Sequence, residues 1–471
     1  MDFTYPAENS YLPKTLDIVG SSHEKPELIT RDGQKELWIQ THHKFKKPKA
    51  NVQFRIDTIK TRSPKEHATE LLYVAALTKY LSRSLADALD AGYIYSFSNH
   101  EIQFSGYTDN LVPFATKALS LTRKMDLSST EFKSTKDQLI QNKENQRFLP
   151  AYLLAAGIEL HRVLTPDTFS PEEILPFLRE LTLEDIQAYG KNFLQRGFVR
   201  GLGFGNITPN QLLEVYTALK TNFPMMPLAP ELRERDVEVR LLDGNGNSNA
   251  YEFWSAASGE NNAYLLTYNL GPTTPKLHAI AQIGNSVLET PFFKEMRTEK
   301  GLGYIVKAGI DAELLSTKVS FLIQTEYPLE QIRSHVTEWI PQSVELFRDL
   351  TPEKFEQLRE AALERLSKEP TSFDQQFSHT SETIFDYDRD TLWKQKQIEA
   401  LKMITQEEIL ETFEKAFSYK GGAPTLTIYI VGQDREKGQC VRPKSKNFFE
   451  RPELITDVEE FRRKMPRYRK Y

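Results

Sequence analysis

The two halves of this chain carry the same short motifs in the same order. The matching pairs lie 211 to 227 positions apart: Gly92-Tyr93-Ile94 with Gly303-Tyr304-Ile305, Asp126-Leu127 with Asp349-Leu350, Thr182–Ile186 with Thr405–Ile409, and Phe204-Gly205 with Val431-Gly432. Self-similarity at a nearly constant spacing is typical of duplicated structural units. Any one pair could arise by chance, but four in order indicate two copies of one module.

Each copy shows the same succession of strand, helix, Gly-Tyr turn, two strands, several helices and a final strand. It lacks the regular strand–helix alternation of a parallel sheet. The sequence therefore predicts an α+β fold, in which each of two modules packs a sheet against a layer of helices. The expected boundaries are an N-terminal arm at residues 1–27, a first module at 28–221, a linker with one strand at 222–250, a second module at 251–434 and a C-terminal tail at 435–471.

Local patterns identify the first strands. Asp32-Gly33 lies between two short apolar runs, which is typical of a type I′ hairpin. Farther along, Val52, Phe54 and Ile56 alternate with polar residues. This alternation predicts a strand with one face buried and the other in solvent.

The first long helix has a clear start signal. Ser63 and Glu66 form a capping box around a proline at the first helical position. Apolar residues then recur every three or four positions, which predicts one core-facing stripe. The stripe consists of Leu71, Val74, Leu77, Leu81 and Leu85.

Charge and residue usage exclude several classes of protein. A formal net charge of −5 and a pI near 6.1 argue against a nucleic-acid-binding protein. The single cysteine, Cys440, rules out an internal disulfide framework and a cysteine-based zinc site. No apolar run approaches the roughly 18 residues of a membrane span. The first residues do not resemble a signal peptide, although this has no weight if the sequence is part of a longer chain. We expect a cytoplasmic location, with the bacterial periplasm as the alternative.

The histidines do not form a recognisable metal motif. None of the nine falls in H-E-x-x-H or in the inverted H-x-x-E-H. The nearest approach is His67-Ala-Thr-Glu70, but catalytic zinc needs three protein ligands and an open position. We interpret His67 and Glu70 as the polar edge of a helix. His42 and His43 are adjacent, so on a strand they would point to opposite sides and could not readily share a metal. The residues alone thus show no catalytic centre and no cofactor site.

A turn in the second half carries the most informative polar side chains. Arg297 and Tyr304 flank Gly301 and Gly303 between a helix-like and a strand-like run. A guanidinium offers a planar fork of donors for an oxyanion or carboxylate, and a phenol can donate to developing negative charge. The alternative is that a helix-to-strand turn requires glycines in any case and that the arginine is a solvated surface residue.

The segment Arg297-Thr-Glu-Lys-Gly-Leu-Gly-Tyr304, with Gln324-Thr-Glu downstream, resembles the pitrilysin/insulin-degrading-enzyme family of inverted-motif zinc peptidases. Further landmarks occur in order along almost the whole chain: Tyr11-Leu12-Pro13, Leu37-Trp38-Ile39, Phe45–Val52, Gly205–Thr208, Phe385–Asp390 and Asp457–Phe461. Enzymes of this family contain four related α+β modules in two halves. The chain is similar to the C-terminal half, and the resemblance implies mostly antiparallel sheets.

The resemblance also implies roles for particular residues. The zinc motif of the family lies in its first module, so no metal is expected in this chain and zinc is expected in an N-terminal half or partner. Arg297 and Tyr304 match the arginine and tyrosine that reach the substrate, and Phe293 matches an apolar wall. Gly301 departs from close relatives of insulin-degrading enzyme, which usually have glutamine there. This departure concerns the shape of the turn.

Two hypotheses of function follow. In the first, the chain is the half of a metalloendopeptidase that lacks zinc. It closes a peptide-degrading chamber with a zinc-bearing half, from the same parent chain or a separate subunit, and supplies Arg297 and Tyr304 to bind short peptides and stabilise the oxyanion. In the second, it is a degenerate homologue that binds peptides or scaffolds a complex without hydrolysis. Retention of both residues favours the first.

Overall fold

The computed structural model of the chain describes residues 8–19, 23–41, 44–58, 63–98, 100–233, 237–242, 249–312, 315–387, 389–418, 422–433 and 452–469. Cys440, His42 and His43 lie outside the described residues. Among the described helices, none has both the length and the apolar composition needed to cross a membrane.

Strands account for two large sheets and one small sheet. Their bounds are β1 Glu27–Arg31, β2 Lys35–Thr41, β3 Lys49–Asp57, β4 Ile94–Phe97, β5 Glu101–Tyr107, β6 Arg196–Gly205, β7 Met226–Pro227, β8 Val237–Val239, β9 Ala250–Ala256, β10 Asn262–Pro272, β11 Ile305–Asp311, β12 Ser316–Thr325, β13 Thr425–Val431, β14 Glu453–Ile455 and β15 Arg467–Arg469.

Helices cover one face of each large sheet. Their bounds are α1 Pro64–Ser84, α2 Ala86–Asp90, α3 Thr108–Arg123, α4 Ser129–Asn145, α5 Ala151–Leu153, α6 Leu160–Leu164, α7 Pro171–Glu180, α8 Leu183–Asn192, α9 Pro209–Asn222, α10 Pro275–Phe293, α11 Leu329–Arg348, α12 Pro352–Ser367, α13 Phe373–Ser381, α14 Trp393–Met403, α15 Gln406–Ala416 and α16 Val458–Lys464. Short 3₁₀ turns occupy Gln146–Phe148 and Pro230–Leu232, and π-helical turns occupy Leu154–Glu159, Lys294–Glu299 and Glu382–Asp386.

The two large sheets have the same topology. The first runs β1-β2-β6-β3-β5-β4, and the second runs β11-β12-β10-β13-β9-β14. If β2, β6, β3, β5 and β4 are matched with β9, β13, β10, β12 and β11, the order agrees and so does every pairing direction. The one parallel pair of these five strands, β2 with β6, corresponds to the parallel pair β9 with β13. The predicted α+β fold of two homologous, mostly antiparallel modules is confirmed.

Linker and tail meet in the small sheet. The linker strand β8 pairs with β15 near the end of the chain. Between β14 and β15 the tail forms α16, which begins at an Asp457 cap. The tail therefore returns to the second module, where β14 extends its sheet beside β9.

The hairpin predicted at Asp32-Gly33 is present, because β1 pairs antiparallel with β2. Its turn is not type I′, however, since neither Gly33 nor Gln34 has a positive φ. The side chain of Asp32 shapes the turn instead. Its Oδ1 accepts hydrogen bonds from the backbone N–H groups of Gln34 (2.7 Å) and Lys35 (3.0 Å).

Helix α1 begins where the capping box predicts, with Ser63 accepting a hydrogen bond from the Glu66 N–H. The predicted apolar stripe is only partly correct. Leu77, Leu81 and Leu85 are buried, but Leu71 and Val74 are half-buried. The buried face is wider than the predicted stripe and is rotated about the helix axis, because α1 also packs against the neighbouring helices α4, α7 and α8. Its other buried residues are Ala68, Leu72, Tyr73 and Ala76.

The prediction that β3 has one face in solvent is wrong. Asn51 and Gln53, on the polar face, are almost fully buried. They are covered by residues 373–386 of the second module, named here the second crossing segment. Ser381 Oγ donates to Gln53 Oε1 at 2.7 Å. A cluster of apolar side chains from both modules fills the rest of this contact: Trp38, Leu202, Phe204, Phe373, Phe377, Ile384 and Phe385.

The exchange is reciprocal. Residues 146–159 of the first module, named here the first crossing segment, lie on the face of the second sheet that its own helices leave open. Ala151, Leu154 and Ala155 pack there against apolar side chains of β9, β10 and β13. Each module thus covers the outer face of the other module's sheet with a helical segment that contains a π-helical turn.

Candidate functional site

The candidate site lies where α10 passes into β11. Helix α10 ends at Phe293 and continues directly into the π-helical turn Lys294–Glu299, which carries Arg297. Met296 and Leu302 are buried and fix both ends of the connection in the core of the second module. The backbone N–H of Leu302 donates to the Met296 carbonyl at 2.9 Å. The exposed side chains therefore stand on a rigid base.

The two glycines of the turn are favoured for different reasons. Gly301 has a φ of 62°, in the left-handed region that glycine adopts without strain. A Cβ on Gly303 would lie 2.0 Å from the backbone oxygen of Gln324 on β12, so no larger residue fits there without movement. At Gly301 a Cβ would meet open space. A larger residue at position 301 would therefore be limited by the backbone angle and not by neighbouring atoms.

Arg297 lies between two aromatic rings. Its guanidinium carbon is 4.6 Å from the centroid of Tyr304 and 5.0 Å from that of Phe293. Such cation–π contacts contribute about 0.5–1 kcal/mol each at exposed sites and restrict the orientation of the guanidinium. The structure thus brings the three predicted residues into one group, named here the Phe-Arg-Tyr stack.

The polar atoms of the stack are not used for folding. Within the described parts of the chain, neither the Arg297 guanidinium nor the Tyr304 hydroxyl has a hydrogen bond or ion pair. Neighbouring charges are already paired, Lys294 with Glu299 at 3.2 Å and Lys300 with Glu295 at 2.6 Å. Arg297 therefore presents an uncompensated positive charge and free donors to anything that approaches the turn.

His67 is placed elsewhere, on α1 of the first module. Its ring packs 5.6 Å from that of Phe169. Burial and the nearby Lys143 lower the pKa of His67 to about 4, so the imidazole is neutral at physiological pH. In the described ranges, no group of three His, Cys, Asp or Glu side chains lies close enough to hold a metal ion.

Two residues next to the stack were not assigned a role from the sequence. Gln324 forms a register pair with Ile305, the residue after Tyr304. Its side-chain Oε1 accepts a hydrogen bond from the backbone N–H of Tyr152 at 3.2 Å. The first crossing segment is thereby joined to the strand on which the turn rests. Only the tertiary fold brings Tyr152 here, so no local pattern could have indicated it.

The aromatic side chains of the stack are exposed, Phe293 at 39% and Tyr304 at 74%. A cavity of about 700 Å³ lies elsewhere in the second module, between the N-terminal half of α10 and the helices α12 to α14. Its lining includes His278, His379 and Trp393, and none of the stack residues. The Arg297 and Tyr304 donors, which lie on an exposed surface, are placed to contact a second molecule.

Profiles of known protein families match the two modules separately. Residues 1–176 match the profile described as the middle or third domain of M16 peptidases. Residues 283–381 match the profile of domain 4, in the C-terminal lobe of PqqF-like proteins. The first profile describes a third domain and the second profile describes a fourth domain, so the order of the matches agrees with the order of the domains.

Curated relatives are about twice as long as this sequence. Insulin-degrading enzyme of Drosophila melanogaster is 22% identical over 477 residues, which cover 96% of this chain and 47% of the relative. The Homo sapiens enzyme is 22% identical over 493 residues, with 98% and 47% covered. The chain therefore spans about half the length of the curated relatives it matches.

Solved structures show the same fold. Crystalline pitrilysin superposes with a TM-score of 0.86 at 18% identity, covering 99% of this chain and 49% of that one. An M16 inactive domain from Pseudomonas fluorescens gives 0.62 at 12% identity, covering 87% and 98%.

The fold defines a two-module α+β chain that corresponds to about half of the pitrilysin structure. The chain belongs to the M16 peptidase family, and the regions that match its profiles correspond to the third and fourth domains.

Proposed function

We propose that this chain is the half of an M16 metalloendopeptidase that does not bind zinc, and that it closes a peptide-degrading chamber together with a zinc-bearing half. The observation that carries the proposal is the Phe-Arg-Tyr stack. The Arg297 guanidinium is oriented by two rings, and its neighbouring charges are already paired, so its hydrogen-bond donors are not used for folding. Free donors on a rigid base are what a peptide carbonyl or an oxyanion requires.

The described residues do not fit a catalytic zinc, since they contain no group of three ligands. The metal would therefore belong to the partner half, where its chemistry is the activation of water. The contribution of this chain is positional and electrostatic. Arg297 would bind a substrate carbonyl through its fork of donors, and the Tyr304 hydroxyl would donate to the oxygen that becomes negative.

The proposal is tested by adding the chain to a purified zinc-bearing half and measuring hydrolysis of a quenched fluorescent peptide. The two together should cleave the peptide, and this chain alone should not. Tyr304→Phe should lower kcat roughly a hundredfold or more, since one oxyanion donor contributes about 2.7–4 kcal/mol. Its effect on KM should be smaller, because the charge develops only in the transition state.

Tyr327→Phe is the matched control, since it removes a hydroxyl from another exposed tyrosine of the same module. Wild-type turnover by Tyr304→Phe, in a protein that melts normally, would remove Tyr304 from the chemistry. Peptide binding without hydrolysis in the reconstituted pair would instead support the second hypothesis, a peptide-binding or scaffold subunit.

A further inference from the structure

Exposed apolar side chains accompany the stack at one end of the second sheet. In the stack, Phe293 is 39% exposed and Tyr304 74% exposed. The first crossing segment adds Phe148 at 59% and Leu153 at 39%. Side chains of this size are costly to leave in water, and a row of them beside free donors indicates a binding surface.

Two hydrogen bonds place the first crossing segment across the ends of the strands. The N–H of Ser258, just after β9, donates to the Arg147 carbonyl at 3.1 Å. At the other end of the segment, Tyr152 N–H donates to Gln324 on β12 at 3.2 Å. Since the sheet order is β11-β12-β10-β13-β9, the segment runs from the far strand to the strand next to β11. Tyr304 stands at the start of β11 itself.

The two exposed residues of the segment are not part of its packing. Leu149, Tyr152 and Leu154 contact the apolar cluster on the second sheet, whereas Phe148 and Leu153 do not belong to it. Among the described residues, Phe148 has one ring contact, with the Arg147 guanidinium at 4.8 Å. Folding therefore does not explain why these two positions are large and apolar.

We propose that Phe148 and Leu153 form an apolar subsite, extended along the first crossing segment, for bulky side chains of an extended peptide whose backbone is bound at Arg297 and Tyr304. This inference rests on the proposed function and names its substrate class, peptides with a large aliphatic or aromatic residue several positions from the bound carbonyl. One strand spacing separates β11 from β12, beside which Leu153 follows Tyr152. Four spacings of about 4.8 Å, roughly 19 Å, separate β11 from β9, beside which Phe148 follows Arg147. An extended peptide rises about 3.3 Å per residue, so roughly six residues cover that distance.

A peptide fits this surface better than the face of a folded partner does. The four exposed side chains, Phe148, Leu153, Phe293 and Tyr304, lie on elements that follow one another across the strand ends, with the donors of the stack beside β11. An extended peptide offers side chains and carbonyls in turn along such a row. The core of a protein–protein interface is instead a broad patch that is depleted of charge.

The test is fluorescence anisotropy of two labelled octapeptides with the full chain. One peptide has a central Leu-Phe pair, and the other has Ser-Ser at the same positions. The double variant Phe148→Ser/Leu153→Ser should bind the apolar peptide about tenfold more weakly, a change of about 1.4 kcal/mol. Its affinity for the polar peptide should be unchanged.

Arg297→Ala should lower the affinity for both peptides equally, because a carbonyl contact does not depend on the peptide side chain. The matched control is Leu392→Ser/Met403→Ser, which removes two exposed apolar residues at the ends of the remote α14 and should change neither affinity.

The outcomes separate the two claims. If the double variant binds both peptides like wild type while Arg297→Ala still weakens them, the subsite is wrong and the proposed function stands. If neither peptide binds, or Arg297→Ala has no effect, the peptide-binding role of the stack fails and the subsite fails with it. If the double variant keeps both peptide affinities but no longer associates with a zinc-bearing half, the row is a partner interface. A benzophenone amino acid at the apolar position should also crosslink to residues 146–153 in the wild-type chain.

Discussion

The same three-residue motif has opposite environments in the two modules. Tyr93 is buried, with its ring 5.1 Å from Phe114 and its hydroxyl donating to the Tyr107 carbonyl at 3.1 Å. Tyr11 of the N-terminal arm covers it at 6.0 Å. Tyr304, its counterpart, stands in solvent. The second copy of the motif therefore supplies the free hydroxyl, while the first copy is part of a core.

Gly303 should control the position of Tyr304. Gly303→Ala places a methyl group against a backbone oxygen that cannot rotate away. We expect a loss of roughly 1–3 kcal/mol of stability, as for other overpacked sites, together with reduced turnover. Urea denaturation and peptide hydrolysis in the reconstituted pair measure the two effects. Gly301→Ala is the control, since it costs about 1–2 kcal/mol through its left-handed backbone but meets open space. Equal turnover in both variants would contradict the steric account.

His67 should make the folded chain sensitive to acid. Its pKa is lowered to about 4 in the folded state by burial and by Lys143, against about 6.5 in an unfolded chain. Between these values the unfolded state takes up a proton that the folded state does not, so stability falls as the pH decreases from 6.5 towards 4.

The variant His67→Gln removes this contribution. Urea midpoints at pH 7 and pH 4.5 should therefore differ less in His67→Gln than in the wild-type chain. An NMR titration of the imidazole reports the pKa directly. A midpoint near 6.5 for His67 in the folded protein would show that its burial has no electrostatic consequence.

At the scale of elements, buried charge joins the two modules. Asp57 on β3 and Arg200 on β6 form an ion pair at 3.0 Å, and both side chains are nearly fully buried. The same guanidinium donates to the carbonyl of Phe385 in the second crossing segment at 3.4 Å. Arg55 lies on the same face and pairs with Asp386.

Removing one partner of a buried pair leaves the other charge uncompensated. Asp57→Asn should therefore cost about 3–5 kcal/mol of stability, as measured by urea denaturation. Glu345→Gln is the control, because its exposed pair with Arg348 is of the type that contributes about 0–1 kcal/mol. Similar losses of stability in the two variants would mean that the second crossing segment moves away in Asp57→Asn and that water then solvates the Arg200 guanidinium.

The crossing segments also show where sequence reasoning reaches its limit. The repeat predicts the duplicated α+β modules, and caps such as Ser63, Ser128 and Thr182 predict the helix starts. Gln53 and Arg55, by contrast, alternate with apolar residues as if they faced solvent. Ser381 and Asp386, which bind them from the second crossing segment, lie more than 300 residues away, and no local period carries that information. The site shows the same limit, because Arg297 and Tyr304 are close in sequence whereas Tyr152 reaches Gln324, on the neighbouring strand, only through the exchange.

On the scale of the whole molecule, the exchange makes each module incomplete without the other. If the first were removed, apolar side chains of β9, β10 and β13 would lose the cover of residues 151–155. If the second were removed, Leu202 and Phe204 would be exposed to water. Modules joined only by a linker are expected to move and unfold separately. Here each completes the core of the other.

We therefore expect the two modules to unfold as one cooperative unit. Hydrogen exchange followed by mass spectrometry should give the same opening free energy, within about 1 kcal/mol, for β3 and β6 of the first sheet and for β10 and β12 of the second, because global opening sets the slowest exchange. A fragment of residues 1–233 should lack this protection against hydrogen exchange, since the second crossing segment no longer covers the outer face of its sheet. If β10 and β12 stay protected under conditions in which β3 and β6 exchange freely, the modules are independent domains and the crossing segments are surface contacts.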